Sequence, residues 1–357
     1  MYLSRFISFS LSAILLCTLP LSLSAETGDA SPDSINFADP EMGGLADAVN
    51  TLADHIKVHG YAHVGYDYDT GDDSNSFDFK RSIFWIQANI NKRWSFLFMH
   101  DFSSETQEIY TDYRFHKLLG VKFGQFKNAF SMENPISLSA IELIRGTSQA
   151  VNYLAGIGSD PLFGKQKGRD MGIMIYGDVP HTGLHYELQL LNGQGINHKD
   201  GNSQKDVIMK LQYRIIEPLR VVVSSQIGHG HAVGTSEANP TIKVGDNYKR
   251  NRISAGAEFK LFPFSLRSEY LKGWDGKVQS QGVYVTGSYN VIRNLDAVAS
   301  YDYFDRNTHL DMRQSNYTVG AQYWFYHKCR IQLQYTRCCP SYKKGYNIFQ
   351  LQTQVGF

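Results

Sequence analysis

The chain has 357 residues, with 35 basic and 34 acidic side chains and a formal net charge of +1. Its mean hydropathy of -0.32 excludes a bundle of transmembrane helices, which needs several runs of ~20 apolar residues. The nearly balanced charge argues against a nucleic-acid partner, because a surface that binds phosphates carries a basic excess. The 22 Tyr, 21 Phe and 31 Gly beside only 10 Pro favour β structure.

Residues 1–25 are predicted to be a secretory signal peptide. Arg5 precedes an apolar stretch over residues 6–19, which is too short to span a membrane as a stable helix. Residues 26–54 are then predicted to form a short periplasmic segment. A short amphipathic helix in this segment is favoured by the spacing of Met42, Leu45, Val49 and Leu52.

Three cysteines remain after the signal peptide: Cys329, Cys338 and Cys339. An odd number with an adjacent pair does not form a disulfide framework. The sequence has no partners for them at zinc-binding spacing, so neither a metal site nor a cofactor is predicted. We expect these cysteines to be surface or loop residues.

The dominant period along the chain is two residues. In the last segment, 349–357, every odd position is apolar or Thr and every even position is Gln or Gly. A strand turns successive side chains to opposite faces, so this strand has one apolar face and one polar face. A soluble barrel is disfavoured, because a polar face on every strand would leave its interior without a core.

The same alternation predicts sixteen strands. Their connections alternate between short ones and mostly longer ones rich in Gly, Asp and Asn, the pattern of an outer-membrane barrel. The sequence therefore predicts an all-β fold, a 16-stranded antiparallel transmembrane β-barrel over residues 55–357. The strands are predicted at 55–68, 78–90, 94–103, 107–116, 119–126, 169–178, 184–191, 205–216, 219–228, 250–260, 264–272, 279–289, 294–304, 315–325, 328–337 and 346–357.

Aromatic residues near the strand ends are predicted to form girdles at the two membrane interfaces. They are Trp85, Trp94, Phe96, Phe98, Tyr270, Trp274, Tyr301, Tyr303, Tyr323 and Trp324. The connection over residues 127–168, the third of the long loops, is too long for a simple link. We expect it to fold inward and narrow the channel, with helical character over residues 139–152.

Three spaced motifs resemble those of one family. The segment 124–133, GQFKNAFSME, resembles the GQFK-x-PFS-x-E signature of the phosphate-selective porin O and P family. Residues 168–172, GRDMG, match its GRD-x-G strand start, and residues 192–196, NGQGI, match its NGxGI loop. The resemblance covers residues 55–357. It implies a sixteen-stranded, homotrimeric porin of the cell outer membrane, with diffusion that prefers anions such as phosphate. Two departures leave the solute open: Ala129 replaces a proline, and Ser300 stands where an arginine is common.

The predicted inward face carries a small excess of positive charge, and charge at the narrowest part of a channel sets its selectivity. Its basic residues are Lys57, Arg81, Arg114, Lys122, Lys210, Arg214, Arg220, Arg250, Arg252, Lys260, Arg267 and Arg330. Its acidic residues are Asp67, Asp101, Asp112, Asp170, Glu187, Glu258, Glu269, Asp296 and Asp302.

We predict that seven cations line the constriction and bind anions, because Lys and Arg donate hydrogen bonds to their oxygens. Lys122 and Lys127 lie at the mouth of the long loop, Arg145 lies within it, and four arginines lie on the facing walls: Arg81, Arg220, Arg252 and Arg267. An alternative for each is a place in a charge network that only holds the wall, as a pairing of Arg267 with Glu269 would do.

The predicted function is therefore passive diffusion of small hydrophilic solutes through a water-filled channel that prefers anions. The expected partners are the lipid bilayer, small anions and two further copies of the chain. An enzyme is disfavoured, because the sequence lacks a G-x-S-x-G elbow and its Ser and His residues form no recognisable triad. The alternative is a plugged barrel that serves as a structural protein or an adhesin, without general diffusion.

Overall fold

The computed structural model describes residues 55–158, 160 and 162–357, so the predicted signal peptide and the segment 26–54 lie outside the described residues. The described chain forms sixteen strands and one short helix. They are β1 (Ile56–Asp69), β2 (Ser74–Asn89), β3 (Trp94–Asp101), β4 (Thr106–His116), β5 (Leu119–Lys127), α1 (Gln149–Leu154), β6 (Arg169–Val179), β7 (Leu184–Leu191), β8 (Asp206–Ile216), β9 (Leu219–His231), β10 (Asn247–Leu261), β11 (Phe264–Asp275), β12 (Val278–Ile292), β13 (Leu295–Asp305), β14 (Arg313–Tyr326), β15 (Cys329–Pro340) and β16 (Tyr346–Gly356).

The strands close into a barrel. Each strand pairs antiparallel with the next, and β1 pairs with β16 in a register that runs from Tyr61 opposite Gly356 to Asp69 opposite Ile348. Closure pairs both edges of the sheet, so no row of unpaired backbone groups remains. The predicted 16-stranded antiparallel barrel is confirmed, and every predicted strand overlaps an observed one.

The period-two pattern separates the two faces of the wall. In β16, Gln350, Gln352 and Gln354 are buried, whereas the alternating Leu351 and Val355 are exposed. The barrel wall has an outer surface and an inner surface. The apolar face is the more exposed of the two, so it is the outer surface. The polar face points into the barrel, as predicted for a wall between lipid and water.

The two rims of the barrel differ. One rim, the short-turn rim, carries the connections 90–93, 117–118, 180–183, 217–218, 262–263, 293–294 and 327–328. Four strand pairs carry an irregularity in register directly beside such a turn, at 114–116, 214–216, 290–292 and 324–326. Bulges at these positions increase the local twist, which suits the ends of tilted barrel strands. The opposite, long-loop rim carries the remaining connections.

The connection over residues 128–168 joins neighbouring strands β5 and β6 but bonds to strands far around the barrel. The Ser131 amide donates to Ser224 Oγ of β9 at 2.9 Å. The Ile144 amide donates to Gln334 Oε1 of β15 at 2.8 Å. These wall side chains lie on the inner face, so we infer that the connection crosses the barrel interior. The narrowing of the channel by this loop stays a prediction.

An apolar core lies between this connection and the inner face of the wall. It includes Phe130, Val151, Leu154, Leu162, Leu271 and Tyr284. Helix α1 packs on β11, β12 and β13. A Cβ added to Gly282 would lie 2.6 Å from the Ala150 Cβ, so the glycine allows the helix to approach the wall. Burial of this apolar surface holds the connection in place.

The predicted helix over residues 139–152 is wrong in its first part, because α1 begins only at Gln149. The Ile141 carbonyl accepts from Arg330 Nη2 at 2.8 Å, and the Glu142 carbonyl accepts from Gln334 Nε2 at 2.7 Å. These carbonyls bond to the wall instead of to amides one helical turn further on. Within the described ranges, no helix is long and apolar enough to span a membrane.

Candidate functional site

A cavity of about 430 Å³ lies between the connection 128–168 and the inner face of β1–β7. We call this cavity the passage. Five basic residues line it: Arg81, Lys122, Lys127, Lys167 and Arg169. Three acidic residues line it as well: Asp101, Glu108 and Glu187. Three of the seven predicted constriction residues, Arg81, Lys122 and Lys127, are therefore brought together.

Four of the five cations that line the passage have no carboxylate partner in the described part of the chain: Arg81, Lys122, Lys127 and Lys167. Among the residues that the structure describes, no carboxylate lies within 4.0 Å of any of these four side-chain charges. The Lys122 ammonium lies 4.2 Å from the centre of the Tyr110 ring, and its strand register places it opposite Asp112 and Met174. A ring face attracts a cation but does not neutralise it, so Lys122 still contributes positive potential.

Lys127 ends β5 and fixes the start of the long connection. Its ammonium donates to the carbonyl of Asn134 at 2.9 Å and to the carbonyl of Ile136 at 2.8 Å. Carbonyl oxygens orient the ammonium without cancelling its charge. Lys127 therefore has a structural role, and its role in the constriction stays a prediction.

The acidic residues of the passage are already engaged. Arg169 pairs with Glu108 at 2.9 Å, and Lys210 pairs with Glu187 at 2.5 Å. Asp101 accepts hydrogen bonds at the turn that follows β3, one of them from Ser103 Oγ at 2.7 Å. Glu108 and Glu187 are thus paired with cations, whereas the hydrogen bonds of Asp101 leave its charge in place. With five basic and three acidic residues, the lining keeps a positive excess.

Arg145 does not line the passage. It borders a separate polar cavity of about 60 Å³ together with Asp302 and Ser300. Its guanidinium contacts Cys338 Sγ at 3.9 Å. Ser300, the position where the family commonly has arginine, bonds to Thr286 through the two hydroxyl groups at 2.8 Å. The departure at Ser300 therefore leaves the lining of the passage unchanged.

Arg220 and Arg252 lie on the inner wall as predicted but are paired there with carboxylates. Arg220 Nε lies 2.6 Å from Glu258 Oε2, and Arg252 Nη2 lies 2.6 Å from Asp275 Oδ1. The Arg252 side chain is 1% exposed. These two arginines are placed as the alternative hypothesis expects, within a charge network of the wall.

Arg267 fastens the long connection to β11. Its guanidinium lies 2.7 Å from Glu142 and 3.3 Å from Glu133, both in the connection, and 3.7 Å from Glu258. The suggested pairing with Glu269 is wrong, because the Glu269 carboxylate accepts from Ser131 Oγ at 2.8 Å. Arg267 can satisfy three acceptors at once because its guanidinium presents a fork of donors.

Glu133 lies at the centre of this attachment and is fully buried. It also accepts from the Ser148 amide at 2.8 Å. Burial raises the pKa of Glu133 to about 7, although the neighbouring Arg267 acts in the opposite direction. A carboxyl group with such a pKa exchanges its proton near neutrality, where its pairing with Arg267 changes.

Glu258, which pairs with Arg220 and Arg267, belongs to the predicted inner face, but the other partners of the predicted cations were missed. Glu133 and Glu142 lie in the long connection, where no alternation assigns a face, and Asp275 lies at the end of β11, beyond the predicted strand. Of these three, only Glu133 had a signal in the sequence, because it ends the GQFKNAFSME segment. Two girdle predictions are also wrong. Trp85 lines the passage and Trp324 lines the adjoining cavity, because both lie on the inward parity.

The cysteines lie in β15, so the prediction of surface or loop residues is wrong for Cys329 and Cys338 and is met by the exposed Cys339. All three are free; Cys329 and Cys338 are buried and only Cys339 is exposed. The strand continues three residues further than the alternation indicated and takes in both Cys338 and Cys339. Within residues 55–158, 160 and 162–357, no group of three or more His, Cys, Asp or Glu side chains is arranged to hold a metal ion.

The closed wall of sixteen antiparallel strands has the fold of an outer-membrane porin. Residues 56–189, which contain β1–β6 and most of β7, match the family model of phosphate-selective porin O and P. The resemblance drawn from the sequence motifs is thereby confirmed over that range. No curated protein matches the chain.

Solved porins share this fold at low sequence identity. OmpT of Vibrio cholerae, in a trimer form, is 12% identical with a TM-score of 0.64, and the match covers 85% of this chain and 99% of that one. An anion-selective porin from Comamonas acidovorans is 13% identical with a TM-score of 0.61, over 85% and 99% of the two chains. The channel DcaP of Acinetobacter baumannii is 12% identical with a TM-score of 0.60, over 85% and 97%.

Proposed function

We propose that the protein is an outer-membrane porin through which small hydrophilic solutes diffuse passively, with a preference for anions. The observation that carries the preference is the pair Lys122 and Arg81, which line the passage without a carboxylate partner among the described residues. The apolar outer face would contact the lipid bilayer. The chain would act as a channel without a catalytic step.

The mechanism follows from charge at a narrow point. Inside the barrel the effective dielectric constant is below that of bulk water, so each cation attracts an anion more strongly than it would in solution. A cation that enters the same passage meets a lining with five basic and three acidic residues. The acids that could attract it are held by Arg169, Lys210 and the turn after β3. The potential therefore favours anions without a tight site that would trap them.

A plugged barrel remains the alternative function, and the cavities argue against it. A second cavity of about 870 Å³ at the short-turn rim shares Tyr61, Trp85 and Ser137 with the passage. Shared lining residues mean that the two spaces adjoin, so the passage continues toward that rim. We propose a homotrimer as the assembly, which is supported by the trimer form of the Vibrio cholerae OmpT structure.

Reversal potentials in planar bilayers under a KCl gradient test the proposal. We expect stable ohmic channels that prefer chloride. In the Lys122→Gln variant the anion-to-cation permeability ratio should fall at least about threefold, because a charge a few Å from the ion path contributes ~1 kcal/mol or more. The matched control is Arg220→Gln, which removes a cation that is already paired with Glu258 and should change the ratio little.

Two results would contradict the proposal. A correctly folded barrel that conducts no current would favour the plugged alternative. Channels whose selectivity is the same in the wild type and in Lys122→Gln would remove the anion preference from the passage cations. A larger effect of Arg220→Gln would instead move the selective region to the β9–β10 wall.

A further inference from the structure

An apolar strip runs along the inner face of β1–β3, where alternation in a porin predicts polar residues. Tyr61 lies opposite Ile83, and Trp85 lies opposite Met99 in the next pair. Residues directly opposite each other in neighbouring strands share a face, so these four side chains form one surface. All four line the passage. The strip is therefore exposed to whatever moves through the passage, not to lipid.

The long connection supplies apolar surface on the other side. Pro135, Leu138 and Ile157 line the same cavity and come from residues 128–168, which lie across from the β1–β3 wall. Polar lining on this side comes from Ser137 and Lys167. A solute in the passage is thus bordered by apolar side chains on two sides and by cations at its edges.

The free cations adjoin the strip. Arg81 precedes Ile83 by two residues on the same face of β2, opposite His63 of β1. Lys122 comes from β5 and lies over the Tyr110 ring, with the Phe126 ring 5.8 Å from its ammonium. The passage thereby combines positive charge with aromatic and aliphatic surface in one space.

Aromatic lining continues toward the short-turn rim. The adjoining cavity is lined by His59, Tyr61, Trp85 and Trp324. The ring of Trp85 lies 6.3 Å from that of Tyr61 in an edge-on arrangement and 5.1 Å from that of His59. The apolar strip therefore extends through both cavities instead of ending at the narrowest part.

This combination favours one class of anion over another. A strongly hydrated inorganic anion such as phosphate gains nothing from apolar walls, which displace its hydration water. A carboxylate with an aromatic body could place the ring on the strip, where burial of apolar surface is favourable, and its charge beside Lys122 or Arg81. We propose that the passage prefers arene carboxylates to inorganic phosphate. The inference rests on the proposed function, because it assumes that anions cross this passage.

Current block in planar bilayers tests the inference with three probes: benzoate, acetate and inorganic phosphate, each added to KCl at neutral pH. Benzoate should reduce the chloride current at a concentration about tenfold lower than acetate, which has the same charged group without the ring. Phosphate should resemble acetate. In Trp85→Ala the half-blocking concentration of benzoate should rise severalfold, and by a larger factor than that of acetate.

The matched control is Trp94→Ala. Trp94 is a tryptophan of the neighbouring strand that lies on the outer face and is 42% exposed, so its removal should leave all three probes unaffected. Equal block by benzoate and acetate, or an equal response of both to Trp85→Ala, would overturn the inference while the anion channel stands. A protein that shows no preference for chloride in KCl alone would overturn the proposed function, and this inference with it.

Discussion

The two halves of the barrel interior use similar side chains in different ways. On the β1–β7 side, a cavity separates part of the long connection from the wall, and Lys122 and Arg81 line it without a carboxylate partner among the described residues. On the β8–β15 side, the same connection packs against the wall, and Arg252 and Arg267 are paired at 2.6 and 2.7 Å. The first half has the features of a path for solutes. The second half holds the long connection in place.

The difference between the two halves shows that the sign of a side chain's charge does not determine its role. A buried cation loses its hydration and needs a carboxylate nearby, as Arg267 has in Glu142 and Glu133. A cation that borders a cavity, as Lys122 does, lies where a solute can reach it. The local volume beside the connection therefore decides which cations hold the structure and which of them act on solutes.

The largest expected effect comes from removing the ion pairs by which Arg267 attaches the long connection to β11. Arg267→Met should lower the free energy of unfolding by about 3–5 kcal/mol, because the buried carboxylate of Glu133 loses its cation. Urea unfolding in detergent micelles, followed by tryptophan fluorescence, measures the change. The matched control is Arg214→Met, since Arg214 pairs with Glu217 at 3.5 Å and both side chains are exposed. The control should cost no more than about 1 kcal/mol.

If Arg267→Met and Arg214→Met lowered the free energy of unfolding by similar amounts, Arg267 would not anchor the connection. Single-channel recording gives a second measurement that fold stability alone does not explain. A loosened connection should make the open current of Arg267→Met noisier, whereas that of Arg214→Met should resemble the wild type.

A smaller, pH-dependent effect is expected at Glu133. Its pKa is about 7 in the folded chain against 4.5 for an ordinary Glu, so between these pH values the folded chain holds more protons than the unfolded one. The stabilising contribution is fully present below about pH 4.5 and is lost as the pH rises through about 7, by at most ~3 kcal/mol. Glu133→Gln removes this dependence. The unfolding free energy of the wild type minus that of Glu133→Gln should fall as the pH rises through this range and then level off.

A difference that stays constant across this range would contradict the assignment of the raised pKa to Glu133. Other titrating groups cancel in the comparison, because both proteins contain them. The glutamine keeps an acceptor for the Ser148 amide, so the variant tests the charge and not the hydrogen bond.

The wall of the barrel could be predicted from the sequence because its signal is local. The alternation in 349–357 already assigns one face to lipid and one to the interior, and turn residues mark the strand ends. The observed strands differ mainly at the long-loop rim, where β2 begins at Ser74 instead of residue 78. There the ladder continues past the last alternating residue, because hairpin hydrogen bonds do not depend on the side-chain pattern.

The interior could be predicted only in part, because its pairings are distant in sequence. Arg267 and Glu133 are separated by 134 residues, and no local pattern connects them. Parity placed Arg220, Arg252 and Arg267 on the inner face but could not show which side the connection covers. The assignment of Trp85 and Trp324 to the outer girdle has a different cause, because it followed their position near strand ends, whereas parity alone places both of them inward.

The smallest expected effect concerns the position where this chain departs from the family signature. The Ala129 amide donates to Gln189 Oε1 at 2.8 Å, and Gln189 is buried. A proline has no amide hydrogen, so Ala129→Pro leaves that acceptor without its donor, at a cost of about 1–3 kcal/mol. The proline also lowers the conformational entropy of the unfolded chain, which stabilises the fold by roughly 0.4–1 kcal/mol. The free energy of unfolding, measured in urea, should therefore fall by about 1 kcal/mol in all.

Repeating the substitution in a Gln189→Met background separates the hydrogen bond from backbone strain. Methionine has no amide oxygen, so no acceptor remains for the Ala129 amide to satisfy, and the proline should cost less there than in the wild type. An equal cost in the two backgrounds would show that the proline strains the start of the connection. Alanine at this position would then be required by the backbone path from Asn128 to Phe130, and not by the bond to β7.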